Sequence, residues 1–212
     1  PLRRQRQMCI RDSMRSFLIK NKDVTIISNN CFAGMFYKRY GIKFNSPTIG
    51  LFIRSSDYIT FLEYLPQIVK GDYFLKEKIE TKVKWPVGLL HINQCNRDIE
   101  INFMHYTNFK EAKTKWDRRI SRVGTELEQI IIVFIHTPSL IEDDLNRFEN
   151  IQYGTKVFAY DKDKIGLRKL KNVKCCAIDA FHWEPEFSWD FLKMSKSIGM
   201  KKVVNNIRKE GL

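Results

Sequence analysis

The sequence is poor in proline and glycine, six and ten residues among 212, and nowhere do they gather. That excludes a collagen-like chain or a long flexible linker. No apolar run approaches the roughly 18 residues needed to cross a bilayer, and no repeat period or low-complexity tract is visible. Cysteine is sparse. Five thiols without C-x-x-C spacing provide neither a zinc site nor a disulfide framework, and they suit a reducing compartment. There is no helix-turn-helix, zinc-finger, RNA-recognition or basic-zipper pattern, so the chain lacks the usual nucleic-acid-binding modules. A Gly-rich phosphate fingerprint is missing as well. What remains is a globular protein without a transmembrane segment, expected in the cytoplasm, with a membrane-peripheral position as the variant.

Positive charge, by contrast, is abundant: 37 Lys and Arg against 24 Asp and Glu give a formal net charge of +13. Residues 1–13 resemble the in-frame translation of a transposase adaptor and are set aside as a non-native segment. Four arginines and one aspartate leave with it, which lowers the net charge to +10. Residues 14–212 suit a single domain with a sizeable core. Their excess charge favours anionic partners, such as a phosphorylated cofactor or a nucleotide sugar, although lysines scattered among isoleucine and asparagine also fit a merely solvated surface.

The chain is organised around residues 24–34. Val24, Thr25, Ile26 and Ile27 form a β-branched run fit for a strand in a parallel sheet, and Ser28-Asn29-Asn30 is a tight turn into a helix. Ligands of open α/β sheets sit at such turns, where helix N-terminal N–H groups favour anions. Cys31 stands beside those groups, which predicts a thiol of lowered pKa; the alternative is an inert buried thiol. The helix should end at Tyr40, with Gly41 as a left-handed cap. Asn45, Ser46 and Pro47 then make a turn able to close over residues 28–31 and offer neutral donors to a substrate.

Further on, Tyr58, Phe61, Leu62 and Leu65 have helical spacing behind Ser55 or Ser56 as N-cap, and the charged residues 71–84 read as a solvated helix or loop. Residues 87–92 and 99–103 look like two strands, the second followed by His105 at a sheet edge where catalytic groups collect. Asn108 and Glu111 form a capping pair for a helix in which Lys115, Arg118, Arg119 and Arg122 make a basic face suited to phosphates, with Trp116 either a stacking surface or core. Residues 129–135, an unbroken apolar run, should lie near the sheet centre, ending in the turn His136-Thr137-Pro138-Ser139. A helix over 142–150, short strands near 156–159 and 173–178, and closing helices within 189–209 complete the chain. Asp161-Lys162-Asp163 has the spacing of a metal-binding pair but reads as a solvated turn, so no metal site is assigned. The alternation predicts a three-layer α/β fold with a mostly parallel sheet, flavodoxin-like or SGNH-hydrolase-like, and helices on both faces.

The stretches Ile27-Ser28-Asn29-Asn30-Cys31, Asn45-Ser46-Pro47-Thr48-Ile49-Gly50-Leu51, Pro86-Val87-Gly88, His105-Tyr106, Glu111-Ala112 and Lys115-Trp116-Asp117-Arg118-Arg119 resemble, in order and spacing, an uncharacterised bacterial family of exopolysaccharide or capsular polysaccharide biosynthesis proteins. The resemblance implies a pathway rather than a reaction. That family has an aspartate and a tryptophan matching Asp179 and Trp183, but nothing matching His182. A second resemblance is to acyl-transferring and ester-hydrolysing enzymes with flavodoxin-like sheets, including capsule proteins that bind acetyl-coenzyme A, and it implies chemistry. In it Cys31 or Ser28 attacks, His182 is the base in an Asp179-x-x-His182 block, and Asn29 or Asn30 holds the oxyanion. A Cys31–His105 dyad is the alternative. Three functions follow as expectations: acyl transfer from acetyl-coenzyme A to a sugar or polysaccharide precursor, glycosyl transfer, and non-catalytic binding of a nucleotide sugar or coenzyme.

Overall fold

The computed structural model describes residues 17–166, 168–178 and 188–207. Four strands form a parallel sheet in the order β1 (Ile26–Ser28), β5 (Ile131–Ile135), β6 (Thr155–Asp161) and β7 (Val173–Ile178). Between β1 and β5 in sequence lies a second, antiparallel sheet of β2 (Tyr73–Glu77), β3 (Val87–Ile92) and β4 (Arg97–Asn102). The eight α-helices of the described residues are α1 (Phe32–Tyr40), α2 (Ser55–Glu63), α3 (Leu65–Val69), α4 (Phe109–Ile120), α5 (Glu142–Asn150), α6 (Lys162–Ile165), α7 (Ser188–Ile198) and α8 (Met200–Asn206). The protein is thus α/β, with helices on both faces of the parallel sheet.

Strand periodicity separates the layers. In and beside β5, Ile131, Val133 and Ile135 point to the face covered by α1, α7 and α8. Ile130, Ile132 and Phe134 point to the other face, under α2, α4 and α5. The antiparallel sheet adds Leu90, Ile92, Ile99 and Ile101 to this second core. Since both faces are covered, β5 has no polar position, which explains its unbroken apolar run.

β1 is an edge strand, and hydroxyl groups close its free edge. Tyr37 Oη accepts from Ile26 N at 2.8 Å and donates to Val24 O at 2.9 Å, while Thr48 Oγ1 accepts from Ser28 N at 3.0 Å. Backbone groups that would otherwise template a foreign strand are thereby satisfied. Gly41 ends α1 at φ 59°, a left-handed conformation that glycine adopts without strain.

Two expectations are corrected. Residues 71–84 contain a strand, β2, in which Leu75 is buried and Tyr73 packs beside it on the core; the ion pairs Lys76–Asp98 and, just past the strand, Lys78–Glu100 reach across to β4, so charged side chains there mark a wet sheet face. The strands expected at 87–92 and near 99–103 are present, paired as a hairpin of that separate antiparallel sheet. The N-cap of α2 is Arg54 rather than Ser55 or Ser56; the Ser55 hydroxyl is drawn to Thr137 Oγ1 at 2.6 Å instead. Segment 1–13 lies outside the described residues, as do Asp179, His182 and Trp183.

Candidate functional site

The turn after β1 is built from its own side chains. Ser28 Oγ donates to Asn30 O at 2.7 Å and accepts from Ala33 N at 3.1 Å, and Asn30 Oδ1 accepts from Phe32 N at 3.0 Å. Two orphan donors of the α1 N-terminus are thus capped from within the turn. Asn29, fully buried, copies a peptide group: its Nδ2 donates to Ile135 O at 2.8 Å and its Oδ1 accepts from Ile135 N at 3.0 Å. Ser28, Asn29 and Asn30 thus each commit a side-chain oxygen to a structural bond. The turn spends most of its hydrogen-bonding capacity holding β1, β5 and α1 together.

Residues 44–53 run beside this turn and connect it to the rest of the site. Ser46 Oγ bonds Thr48 Oγ1 at 3.0 Å, the same hydroxyl that accepts from Ser28 N. Ile49 O accepts from the Tyr106 hydroxyl, Gly50 O accepts from His105 N at 3.1 Å, and Ile53 N donates to Asn29 O at 2.9 Å. Gly50 sits at φ 69°, and a Cβ there would come within 3.3 Å of both His105 Cβ and Tyr106 Cε2. Glycine is needed for the conformation and for the close approach. The turn at 28–31, the segment at 45–51 and His105-Tyr106 therefore come together, although up to 78 residues of sequence separate them. Asn45 is buried, and its amide makes no hydrogen bond with a described residue.

Cys31 departs from expectation. Its Sγ approaches Leu51 O at 3.9 Å, and among the described residues no imidazole bonds it; the exposed His105 joins the site through its backbone. Burial pushes the thiol up to about 11. The lowered pKa expected from the helix N-terminus is overturned because desolvation of a thiolate outweighs the partial charge of a helix end whose donors are already capped. At pH 7 its thiolate fraction is roughly a hundredth of that of an ordinary thiol. Peptide-resolved iodoacetamide labelling of the folded protein should accordingly find Cys31 modified about a hundredfold more slowly than in the unfolded chain; equal rates would refute a buried, protonated thiol.

The basic helix is dispersed. Asn108 Oδ1 accepts from Glu111 N at 2.9 Å, and Glu111 Oε2 accepts from Thr107 N at 3.1 Å, the capping pair the sequence predicts. From there α4 runs antiparallel to β1 for about 18 Å. Lys115 pairs with Glu111 at 2.5 Å and lies over the Tyr106 ring, and Arg118 is exposed. Arg122 donates to Phe44 O at 3.0 Å and lines a cavity of about 320 Å3 with Val24 and Thr25, at the opposite end of β1 from Cys31. Lys115, Arg118, Arg119 and Arg122 thus stand in different surroundings. Trp116 is buried against Phe61 and Phe103 and offers no stacking surface.

Arg119 stands apart. It is only 5% exposed, its Nη1 donates to Tyr106 Oη, and its guanidinium lies 5.5 Å from the centroid of the Phe44 ring. Its Nε has no partner, and no carboxylate of a described residue pairs with it.

The C-terminal ends of the parallel strands carry polar groups that sequence reasoning left without a role. Ser55, Thr137 and Ser139 form a hydroxyl chain, with a Thr137–Ser139 distance of 2.9 Å. Burial lowers the His136 pKa, Lys164 adds to the shift and Asp161 opposes it. Asp161, read above as solvated, is buried at the end of β6, where it accepts from Asp163 N at 3.0 Å. For two of them the available signal was position: His136 directly follows β5 and Asp161 ends β6. No group of three or more potential metal ligands occurs among the described residues.

These features define a three-layer α/β protein whose polar groups collect beside β1 and at the C-terminal edge of the parallel sheet. The chain belongs to the family described as a domain of unknown function, DUF1919, which matches residues 3–208. An uncharacterised protein of Haemophilus influenzae is 32% identical over 142 residues, covering 66% of this chain and 62% of that protein. No helix among the described residues is long and apolar enough to cross a membrane.

Proposed function

We propose that this protein serves exopolysaccharide or capsular polysaccharide biosynthesis by binding a phosphate-bearing donor beside β1, with Arg119 as the anchor for the phosphate. The single observation that supports this reading is the burial of Arg119 without a carboxylate. Removing a charge from water costs several kcal/mol unless an opposite charge or a full set of hydrogen bonds compensates, and one Tyr106 hydroxyl and one aromatic face compensate only in part. A phosphate oxygen suits the free edge of a guanidinium. Lys115, over the Tyr106 ring, and the unpartnered Asn45 amide lie near the same residues.

The preferred donor is acetyl-coenzyme A, which would make the protein an acyltransferase acting on a sugar or polysaccharide precursor in the cytoplasm; a nucleotide sugar is the alternative. The protonated state of Cys31 favours direct attack of a sugar hydroxyl on the thioester over a Cys31 acyl-enzyme. Calorimetric titration with acetyl-coenzyme A, coenzyme A and UDP-glucose tests the reading. One of them should bind, and Arg119→Met should weaken that binding at least about tenfold, as loss of a charge-assisted contact requires, while circular dichroism remains that of the parent. Unchanged affinity in a folded Arg119→Met protein would refute the assignment.

A further inference from the structure

A second site, whose lining does not include Arg119, lies where the C-terminal end of α1 meets the junction of α7 and α8. A cavity of about 410 Å3 opens there. Tyr40, the last residue of α1, is on its wall, so the cavity is about 13 Å along the helix axis from Cys31. Arg39, Lys196, Lys201 and Lys202 line it, and no carboxylate of a described residue does. None of these four cations forms an ion pair with a described residue. Lys202 also borders a neighbouring cavity that contains Glu126 and Glu128, so the uncompensated charge rests chiefly on Arg39, Lys196 and Lys201. Such one-signed clusters repel one another unless an anion is present.

Two hydroxyls point to what that anion is. Tyr40 and Ser195 are 7% and 8% exposed, both line the cavity, and neither hydroxyl bonds a described residue. Neither oxygen is among the buried polar atoms without a partner, so both open into the cavity and can donate to an anion held there. The rest of the lining is mainly apolar, its carbon supplied by the Tyr40 ring and the stems of the basic side chains, with Met200 fully buried behind them. Cations, spare hydroxyl donors and an apolar wall together match a phosphate group esterified to an apolar chain.

We propose that this cavity binds an amphiphilic phosphate ester. The phosphate oxygens take the charge of Arg39, Lys196 and Lys201 and the donated protons of Tyr40 and Ser195, and the apolar chain lies on the tyrosine ring and the lysine stems. A soluble phosphate ester and an anionic lipid headgroup share this chemistry. The inference does not rest on the donor reading at Arg119.

The test titrates the full chain with n-octyl phosphate below its micellar concentration, and separately with inorganic phosphate and octyl glucoside. Octyl phosphate should bind at least about tenfold more tightly than either control, since each control lacks one half of the recognition. The double variant Lys196→Glu/Lys201→Glu, both positions being exposed, should abolish the preference. Tyr40→Phe, which removes one oxygen, should weaken binding about two- to tenfold, and Arg119→Met should leave it unchanged. Co-sedimentation with phosphatidylglycerol vesicles, lost in the double variant, supports the proposal and names a lipid headgroup as the source. Octyl phosphate binding without vesicle binding supports it and names a free ester. Equal affinity for octyl phosphate and octyl glucoside, or unchanged octyl phosphate affinity in the folded double variant, overturns it.

Discussion

Replacing Trp116 with alanine should lower the unfolding free energy by about 3–5 kcal/mol, the range for deleting a large buried aromatic. Trp116 joins three parts of the fold. Its ring meets Phe61 of α2 edge-on at 6.0 Å and Phe103, just past β4, at 6.3 Å. It therefore binds α4 both to the layer over the parallel sheet and to the end of the antiparallel sheet. Urea denaturation read by circular dichroism would measure the effect through the shift in midpoint. Trp116→Phe should lose much less, because most of the ring volume is kept. A cost below about 1 kcal/mol for the alanine variant would place Trp116 at the surface, and the ligand-stacking alternative would return. A free α4 surface at Trp116 would also leave Arg119 accessible, so this measurement bears on the donor reading.

Asn29→Ala should cost about 2–4 kcal/mol, because it strands two buried backbone groups, the N–H and C=O of Ile135. Asn29→Asp should be no better at neutral pH. It keeps an acceptor for Ile135 N, but it loses the donor to Ile135 O and brings a charge into a fully buried position. The folded state then favours the protonated acid, so the folded pKa of this carboxyl lies above the unfolded value of about 3.9. The penalty grows as pH rises through that interval and is smallest below about pH 4, where a carboxylic acid can donate as the amide does. Comparing the variant with the parent protein in urea at pH 4 and pH 7 reads this difference directly. A stability gap independent of pH would mean that Asn29 does not bridge β1 and β5.

The site was legible in the sequence as a set of segments but not as a set of roles. Ser28, Asn29, Asn30 and His105 stood out because polar residues following apolar runs mark strand ends, Asn45 and Ser46 because they open a turn, and residues 28–31, 45–51 and 105–106 do come together in the fold. What each does depends on partners distant in sequence. Asn29 faces Ile135, 106 residues away, and no local pattern separates an amide aimed at a ligand from one aimed at another strand. Arg119 sat within a run of similar cations. Lys115 meets Glu111 one turn back, a spacing visible in sequence, whereas the isolation of Arg119 depends on Phe44 and Tyr106.

By itself the sequence determined the local units: the strand, turn and helix from residue 26 to 40, the Gly41 cap, the Asn108–Glu111 cap and the two-faced apolar run of β5. Propensity, capping and periodicity act over a few residues, so a few residues suffice to specify them. Tertiary structure alone decided that β2, β3 and β4 form a sheet of their own, that Trp116 is core, that Asp161 is buried and that Cys31 keeps its proton. Those outcomes depend on how completely remote segments exclude water from a group, and desolvation is a property of the assembled surroundings, not of neighbours along the chain.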